Sequence, residues 1–380
     1  MSRTSSLRLA RLRRRIAQSA MRLVFGSTSK PSRGAPLPSA GIHRILVCHI
    51  SHTLGNALLL TPLIQELQAV YPGARIDIVT RSPVAEAIYG RYFNVGCIFK
   101  LPGHGFGRPW RYLREWRRLR REHYDLVVDP DPQSQTGRLL TMMAKGRRTL
   151  GFDSPKKSGN VTHSVAIADA PRSVGQRSVF LLRAALGQVP ERASYPVPDI
   201  RLDAREREQG REALARLLAS HGLSPAPHGV IGVFANATGG KLLPSDWWAQ
   251  FLQTLEPLSE GYHIVEIVPA FGRSLLGSRY PAYFSSDLRK LASVLSALSV
   301  YASADCGVMH LACASRVPTY GIFTATDADE WGSYGPGNHV IRAYDMAPAE
   351  VARELIRIAN GDVAPARAAA VIARAVLPAG

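Results

Sequence analysis

The stretch Arg44–Thr80 constrains the fold most, because a strand pattern alternates there with a helix pattern. Arg44–Ile50 is an almost continuous apolar run, as expected of a parallel strand that is covered on both faces. A polar turn with a glycine follows, and then a helical segment from about 57 to 71, which Pro72-Gly73 ends. A second strand pattern covers 74–80. The stretch therefore predicts a βαβ unit, the building block of doubly wound parallel sheets.

The polar turn after the first strand is the first candidate site. It reads Ser51-His52-Thr53-Leu54-Gly55-Asn56. In doubly wound sheets, ligands bind outside the carboxyl ends of the strands, which is where this turn would lie. The fold thus predicts a binding site there before any chemistry is assigned.

The second half of the chain repeats this organisation. The apolar run Gly229–Ala235 opens into the polar loop 236–241, and further strand and helix patterns follow. Because 380 residues are many for a single core, we expect two α/β units, with a boundary around the charged segment 201–221 and the prolines after it. The expected segments are a basic arm with a linker (1–41), a first Rossmann-like unit (42–221), a second one (222–350) and a helical carboxy-terminal segment (351–380).

A predicted helix N-terminus in the second unit is a candidate anion site. The apolar run 298–302 reads as a buried strand, the turn Asp305-Cys306-Gly307 follows, and a helical pattern begins at once. Unpaired backbone N–H groups and the helix dipole favour phosphate at such a position. His310, in the first turn, would add a side-chain donor. The alternative is an aspartate that caps the helix, followed by a surface histidine.

The loop after Gly229–Ala235 has a similar character. Thr238 offers a hydroxyl donor and Lys241 a positive charge to a phosphate group. The spacing differs from that of a P-loop, so this signal is weak by itself.

The net charge of +18 is unevenly distributed. Residues 1–33 contain nine Lys or Arg residues and no acidic residue, with apolar residues between them. This pattern predicts a basic amphipathic helix on an anionic membrane surface. The alternative is a disordered basic arm. No nucleic-acid-binding module follows the arm, so we do not expect nucleic acid as a partner.

A second basic block lies within residues 108–123. At helical spacing, Arg111, Arg114, Arg118 and Arg121 share one face. Guanidinium groups on one face suit phosphate or carboxylate groups of an acceptor or a lipid. The alternative is a solvated surface helix.

Other patterns limit the class of protein. No apolar run reaches the roughly 18 residues that a membrane-spanning helix needs. The four cysteines form no CxxC pair, which fits reduced thiols in the cytoplasm. Asp129-Pro130-Asp131 is similar to a metal-binding DxD motif, but the proline and the lack of further ligands argue against a metal site.

Four blocks of sequence occur in order over residues 42–345. They are 45–62 with Ser-x-x-Leu-Gly, 124–129 with 147–153, 236–248 with its lysine, and 287–335, which holds Asp-x-Gly-x-x-His-Leu-Ala, Phe-x-x-Thr-Asp and Trp-Gly-x-Tyr-Gly. In this order and spacing the chain resembles the lipopolysaccharide heptosyltransferases of glycosyltransferase family 9, which have the GT-B fold.

This resemblance implies an inverting, metal-independent glycosyltransferase without a cofactor. Its donor would be a nucleotide sugar, typically ADP-heptose, and its acceptor a lipopolysaccharide core. The donor would be bound by Asn236, Thr238, Lys241, Asp305, Cys306, Gly307 and His310. The acceptor would be bound by Ser51, Thr53 and Gly55, and by the four arginines Arg111, Arg114, Arg118 and Arg121.

The sequence departs from the family at the expected general base. The family's first turn usually ends in Gly-Asp, and that aspartate is thought to take the proton from the acceptor hydroxyl. This chain has Asn56 there, and an amide cannot accept a proton in this way. His52, Asp129 or Asp131 would have to replace the base, of which His52 is favoured over Asp129. Cys306 is a second departure, since the family usually has Thr or Ser.

The sequence therefore predicts a glycosyltransferase at the cytoplasmic face of the inner membrane, held there by its basic arm. One alternative is a transferase of the same fold with another donor or acceptor. Another is a catalytically silent protein that binds nucleotide sugars or lipid, which Asn56 would permit.

Overall fold

The structure of the protein, a computed structural model, describes residues 36–102, 109–155, 157–188 and 194–361. The predicted basic arm lies outside the described residues, as does most of the carboxy-terminal segment. The described chain contains two six-stranded sheets in which every strand pair is parallel. Helices flank both sheets. The prediction of an α/β fold with two Rossmann-like units of the GT-B type is thus confirmed.

The first sheet has the strand order β3-β2-β1-β4-β5-β6. Its strands are β1 (Arg44–His49), β2 (Arg75–Thr80), β3 (Val95–Lys100), β4 (Tyr124–Asp129), β5 (Gly146–Asp153) and β6 (His163–Ala166). The helices of this half are α1 (Leu54–Leu59), α2 (Thr61–Val70), α3 (Ala85–Tyr89), α4 (Pro109–Arg121), α5 (Gln135–Met143) and α6 (Val174–Ala185), with a short 3₁₀ turn at Ile167–Asp169.

The second sheet has the order β12-β11-β10-β7-β8-β9, which is the same winding in its own chain order. Its strands are β7 (Gly229–Phe234), β8 (Tyr262–Ile267), β9 (Ala282–Tyr283), β10 (Val300–Ala304), β11 (Thr319–Phe323) and β12 (His339–Arg342). The helices are α7 (Ala204–Ser220), α8 (Ser245–Leu258), α9 (Leu288–Leu295), α10 (Gly307–Ala314), α11 (Ala328–Trp331) and α12 (Pro348–Ala359), with a 3₁₀ turn at Gly239–Lys241.

Strand β1 is buried on both faces, as its apolar run predicts. Because side chains alternate along a strand, Ile45 and Val47 join the core under α1 and α2, whereas Leu46 and Cys48 join a separate core beneath α4 and α5. His49 closes the strand on the same face as Ile45 and Val47. This alternation decides below which polar side chains reach the cleft.

The single helix predicted for residues 57–71 is two helices, so that prediction was wrong. The helix is interrupted at Leu60, between α1 and α2, and Pro62 occupies the first turn of α2. A proline has no backbone N–H to continue a preceding helix, but its fixed φ suits the start of a new one. The Thr61 hydroxyl donates to the Leu58 carbonyl (2.7 Å) and stabilises the break.

Helix α7 belongs by packing to the second sheet. A Cβ atom on Gly210 would clash with the Ser293 carbonyl oxygen, so α7 and α9 touch backbone to backbone there. Arg289 of α9 fixes the same region by donating to Glu206 and to the carbonyls of Ala87 and Ile200. The sequence placed residues 201–221 in the first unit, and the observed packing instead puts α7 with the second.

The end of the described chain also packs on the second sheet. Helix α12 buries Val351, Leu355 and Ile356 in the core that contains Phe251 of α8. None of the helices in the described ranges is both long and apolar enough to cross a membrane.

Candidate active site

The two switch points of the sheets meet where the two units touch. In each sheet the strand order reverses between the first and fourth strands, β1 and β4 in one and β7 and β10 in the other. Ligands of doubly wound sheets bind at such points, outside the carboxyl ends of the strands. The turn after β1 and the turn after β10 therefore lie at the expected positions of two half-sites.

These two turns are in direct contact through glycines. A Cβ atom on Gly307 would lie 3.1 Å from the Leu54 Cβ and 3.4 Å from the Gly55 backbone nitrogen. A Cβ atom on Gly55 would lie only 2.8 Å from Cδ2 of His310. Only glycine allows this approach without displacing a neighbour. The predicted donor residues Gly307 and His310 thus touch the predicted acceptor residue Gly55.

The residues predicted to bind donor phosphates form a hydrogen-bonded group around Asp305. The Asp305 carboxylate is buried, accepts a hydrogen bond from the Thr326 hydroxyl (2.7 Å) and pairs with the Lys241 ammonium (3.3 Å). Thr238, just before the 3₁₀ turn, is exposed, and Asn236 is half-buried. Lys241 is held near the first turn of α10 by this pairing.

Cys306, rather than Asp305, caps helix α10. The Cys306 sulfur accepts a hydrogen bond from the Met309 backbone N–H (3.4 Å), and the residue is buried. Burial raises the pKa of the Cys306 thiol, so it stays protonated at neutral pH. The sulfur therefore replaces the usual capping hydroxyl, and Asp305 is free to bind Lys241 and Thr326.

His310 is buried and not a surface histidine. Its Nδ1 atom has no hydrogen-bond partner among the described residues. Burial lowers the pKa of His310 to about 4, although the charge of Asp305 opposes this change. The imidazole is therefore neutral near pH 7 and can both donate and accept a hydrogen bond.

A cleft of about 170 Å³ lies next to Asn56, which lines it. The first half of the chain contributes His49, Asn56, Asp131 and Arg177 to its lining, and α11 of the second half contributes Glu330 and Trp331. Asn56 is half-buried and donates from Nδ2 to the Ser51 hydroxyl (3.2 Å), which leaves its carbonyl Oδ1 as an acceptor. The cleft thus combines polar groups from both units.

Two candidate bases from the sequence do not reach this cleft. His52 is exposed and is not part of the lining. Asp129 is fully buried and forms ion pairs with Arg138 (2.9 Å) and Lys157. It shares the strand face of Val127, whose core lies under α4 and α5, away from the cleft. Asn56 lines the cleft and is hydrogen-bonded to Ser51, whereas His52 and Asp129 are not part of the lining.

The arginines of α4 lie apart from the cleft as well. Arg114, Arg118 and Arg121 are exposed, and the Arg118 guanidinium lies over the Phe99 ring, 5.4 Å from its centroid. Leu119 of the same helix packs into the core with Leu46 and Cys48, on the face of the sheet opposite to His49. The side chain of Arg111 lies outside the described residues. An acceptor in the cleft would reach these arginines only if it extended around the sheet edge.

Sequence reasoning missed His49, Arg177, Glu330 and Trp331. One signal was present for His49, which is a polar residue that ends an otherwise apolar strand. Trp331 belongs to the Trp-Gly-x-Tyr-Gly motif of the fourth block, but the motif alone did not indicate a place in the site. Arg177 and Glu330 lie in helices whose positions at the cleft depend on how the two units pack. No pattern in the sequence indicates that packing.

Part of the sequence matches a family model, and several solved structures share the fold. Residues 285–355 match the model of glycosyltransferase family 9 (heptosyltransferase). A family 9 glycosyltransferase structure from Veillonella parvula is 18% identical, with 84% of this chain and 91% of that chain covered and a TM-score of 0.65. The Escherichia coli ADP-heptose LPS heptosyltransferase II is 19% identical, with coverages of 84% and 99% and a TM-score of 0.62.

A third similar structure is that of the E. coli heptosyltransferase WaaC with ADP-2-deoxy-2-fluoro heptose. It is 19% identical, with 84% of this chain and 100% of that chain covered and a TM-score of 0.60. No curated protein sequence matches the chain. The match of residues 285–355 to the family 9 model indicates a glycosyltransferase, and the similar structures share its fold. More particularly, the resemblance to the heptosyltransferases of family 9 is confirmed, with the family's own sequence pattern in residues 285–355.

The burial of His310 predicts a loss of stability in weak acid. Its pKa of about 4 in the folded protein is below the ordinary value of 6.5, so the unfolded chain takes up a proton first as the pH falls. The neutral imidazole of His310 therefore leaves the free energy of unfolding undiminished above about pH 6.5. As the pH falls towards 4, the free energy of unfolding decreases progressively, by at most about 3 kcal/mol. We expect His310→Gln to flatten the dependence of the unfolding free energy on pH, measured by urea denaturation.

The exposed His123 provides the control for this experiment. His123→Gln should leave the pH dependence as it is in the unchanged protein. The slope that remains in His310→Gln is expected from His49, which is buried in the same way. Equal slopes in the His310 variant and the unchanged protein would contradict the assignment of a neutral, buried His310.

Proposed function

We propose that the protein transfers a heptose or a similar sugar from a nucleotide-sugar donor to a lipopolysaccharide-core acceptor. ADP-heptose is the first donor to test, since one similar structure carries an ADP-heptose analogue and another is named as an ADP-heptose LPS heptosyltransferase. The contact of Gly55 with His310 and Gly307 supports this proposal most directly. It sets the proposed acceptor turn against the proposed donor loop, as sugar transfer between two bound substrates requires.

The donor diphosphate would bind at the start of α10. Backbone N–H groups of the helix N-terminus, the Lys241 ammonium and the Thr238 hydroxyl are suited to its oxygens. Because Asp305 holds Lys241 in place, little side-chain ordering remains to be done on binding. These groups would also stabilise the charge on the nucleoside diphosphate as it leaves, so we propose that transfer needs no metal or other cofactor.

The acceptor would bind in the cleft next to Asn56. Its hydroxyl oxygen would attack the anomeric carbon from the side opposite the diphosphate, so that the carbon–oxygen bond to the diphosphate breaks and the configuration inverts. The Asn56 carbonyl can orient the hydroxyl, but it cannot take the proton. Glu330 and Trp331, from the second unit, line the same cleft and would help to exclude water from the reacting sugar.

Asn56 also favours a second candidate, a protein that binds a nucleotide sugar without turnover. The decisive measurement is transfer from ADP-heptose to a truncated lipopolysaccharide acceptor, followed by mass spectrometry, for the unchanged protein and Asn56→Asp. We expect transfer by the unchanged protein. Transfer by the Asn56→Asp variant alone would support the silent binding protein, and no transfer by either would contradict the proposed donor or acceptor.

The proposed donor site predicts an effect on binding that does not depend on turnover. Lys241→Met removes the ammonium group that pairs with Asp305, and it should raise the Kd for ADP-heptose about 10–100-fold, measured by calorimetry. Lys145→Met removes an exposed lysine of the first unit and is the matched control. Equal Kd values for the two variants would place the diphosphate elsewhere.

We further propose that the protein works as a peripheral protein at the cytoplasmic face of the inner membrane. The charge of residues 1–33, nine basic residues and no acidic one, supports binding to anionic lipid. Deleting these residues should abolish sedimentation with vesicles that contain phosphatidylglycerol. Because the attraction would be electrostatic, the full chain should also stop sedimenting in about 0.5 M salt. Unchanged sedimentation after the deletion would contradict a role of the arm.

A further inference from the structure

We propose that His49 is the catalytic base of this enzyme and that Asp131, beside it, stabilises the imidazolium that forms. The inference rests on the proposed function, because it assigns the proton of the acceptor hydroxyl in that reaction. His49, Asp131 and Asn56 line the same cleft, at the carboxyl ends of β1 and β4 and in the first turn of α1. Asn56 would orient the hydroxyl, and His49 would take its proton.

The position of His49 follows from strand alternation. It ends β1 on the face of Ile45 and Val47, which is the face that the cleft adjoins, and it is about nine-tenths buried. Its Nδ1 atom is buried and has no hydrogen-bond partner among the described residues. Because Nδ1 is enclosed by protein, a partner that binds in the cleft would reach the imidazole at its other nitrogen. The acceptor hydroxyl would be that partner.

The protonation state of His49 suits the step. Burial lowers the pKa of His49 to about 4, while the charge of Asp131 opposes the change. The imidazole is therefore neutral and ready to accept a proton at pH 7. An ordinary aspartate, the residue that the family is thought to use at position 56, has a pKa of about 3.9. His49 is thus a base of comparable strength.

The other ionisable groups of the cleft are less suitable. Glu330 is paired with the Arg177 guanidinium (3.7 Å), so its carboxylate is already engaged. Asp131 is half-buried and accepts a hydrogen bond from the Gln133 backbone N–H (2.7 Å), which fixes the carboxylate. Asp131 is the closest rival as a base, and the experiment below separates the two.

The acceptor O–H bond breaks and its proton moves to the imidazole nitrogen of His49 that the cleft leaves accessible, while the oxygen bonds to the anomeric carbon of the donor sugar. The bond from that carbon to the diphosphate oxygen breaks, and the nucleoside diphosphate leaves with the electron pair. The Asp131 carboxylate offsets the positive charge on His49 until the proton passes to water.

The test compares transfer by five proteins: the unchanged protein, His49→Gln, Asp131→Asn, Asn56→Asp and the double variant His49→Gln/Asn56→Asp. Loss of the base in His49→Gln should lower kcat about 10²–10⁴-fold, with the Kd for ADP-heptose changed less than about threefold. The double variant should recover activity, because a carboxylate at position 56 supplies the missing base. Asp131→Asn should lower kcat about tenfold, because the imidazolium loses the carboxylate that stabilises it.

The exposed His123 again provides a control, and His123→Gln should keep full activity. If His49→Gln fails to bind ADP-heptose, His49→Ala replaces it, and added imidazole should restore transfer by entering the space left by the side chain.

Four outcomes would overturn the inference. Activity of His49→Gln within threefold of the unchanged protein would place the base elsewhere, and a large loss in Asp131→Asn alone would make Asp131 the base. Transfer only by the two proteins that carry the Asn56→Asp substitution would show that the substrates are right but His49 takes no proton. No transfer by any of the five proteins would contradict both the proposed function and this inference.

Discussion

The close approach of Gly55 to His310 and Gly307 is the constraint on which the site depends. Any larger side chain at Gly55 or Gly307 would push apart the turn after β1 and the turn after β10. These turns are the switch points of two sheets with the same winding, so a single backbone contact aligns both half-sites. The rest of the site consists of side chains that this contact brings within reach of one another.

Charge placement around this contact is asymmetric. On the side of the second unit, Lys241 and the α10 N-terminus supply positive charge, and the buried Asp305 fixes the lysine. On the side of the first unit, the cleft holds the neutral groups Asn56 and His49 together with Asp131. An anionic leaving group and a hydroxyl nucleophile need opposite environments, and the two units provide them separately.

Local patterns in the sequence predicted the strands, the fold class and the loops well, because each depends on a few neighbouring residues. The buried run before Ser51 and the Asp305-Cys306-Gly307 turn are examples. Expectations failed where packing decides. The apolar periodicity predicted one helix over 57–71, but Pro62 starts a second helix there. Cys306 caps α10 because its sulfur accepts a hydrogen bond from the Met309 N–H. His49 lines the cleft and Asp129 does not, because strand alternation sends them to opposite faces of the sheet.

The asparagine at position 56 is also consistent with the electrostatics of the cleft. Asp131 and Glu330 already line it, and only Glu330 has the Arg177 guanidinium as an ion-pair partner among the described residues. A third carboxylate at position 56 would add like-charge repulsion in a partly buried space. Asn56 keeps a hydrogen-bond acceptor at the same place without that charge. The negative charge of Asp131 raises the pKa of His49 against the effect of burial. An uncharged residue at position 56 and a histidine at the end of the preceding strand are therefore compatible. Asn56 adds no further negative charge to the cleft, and His49 would supply the base.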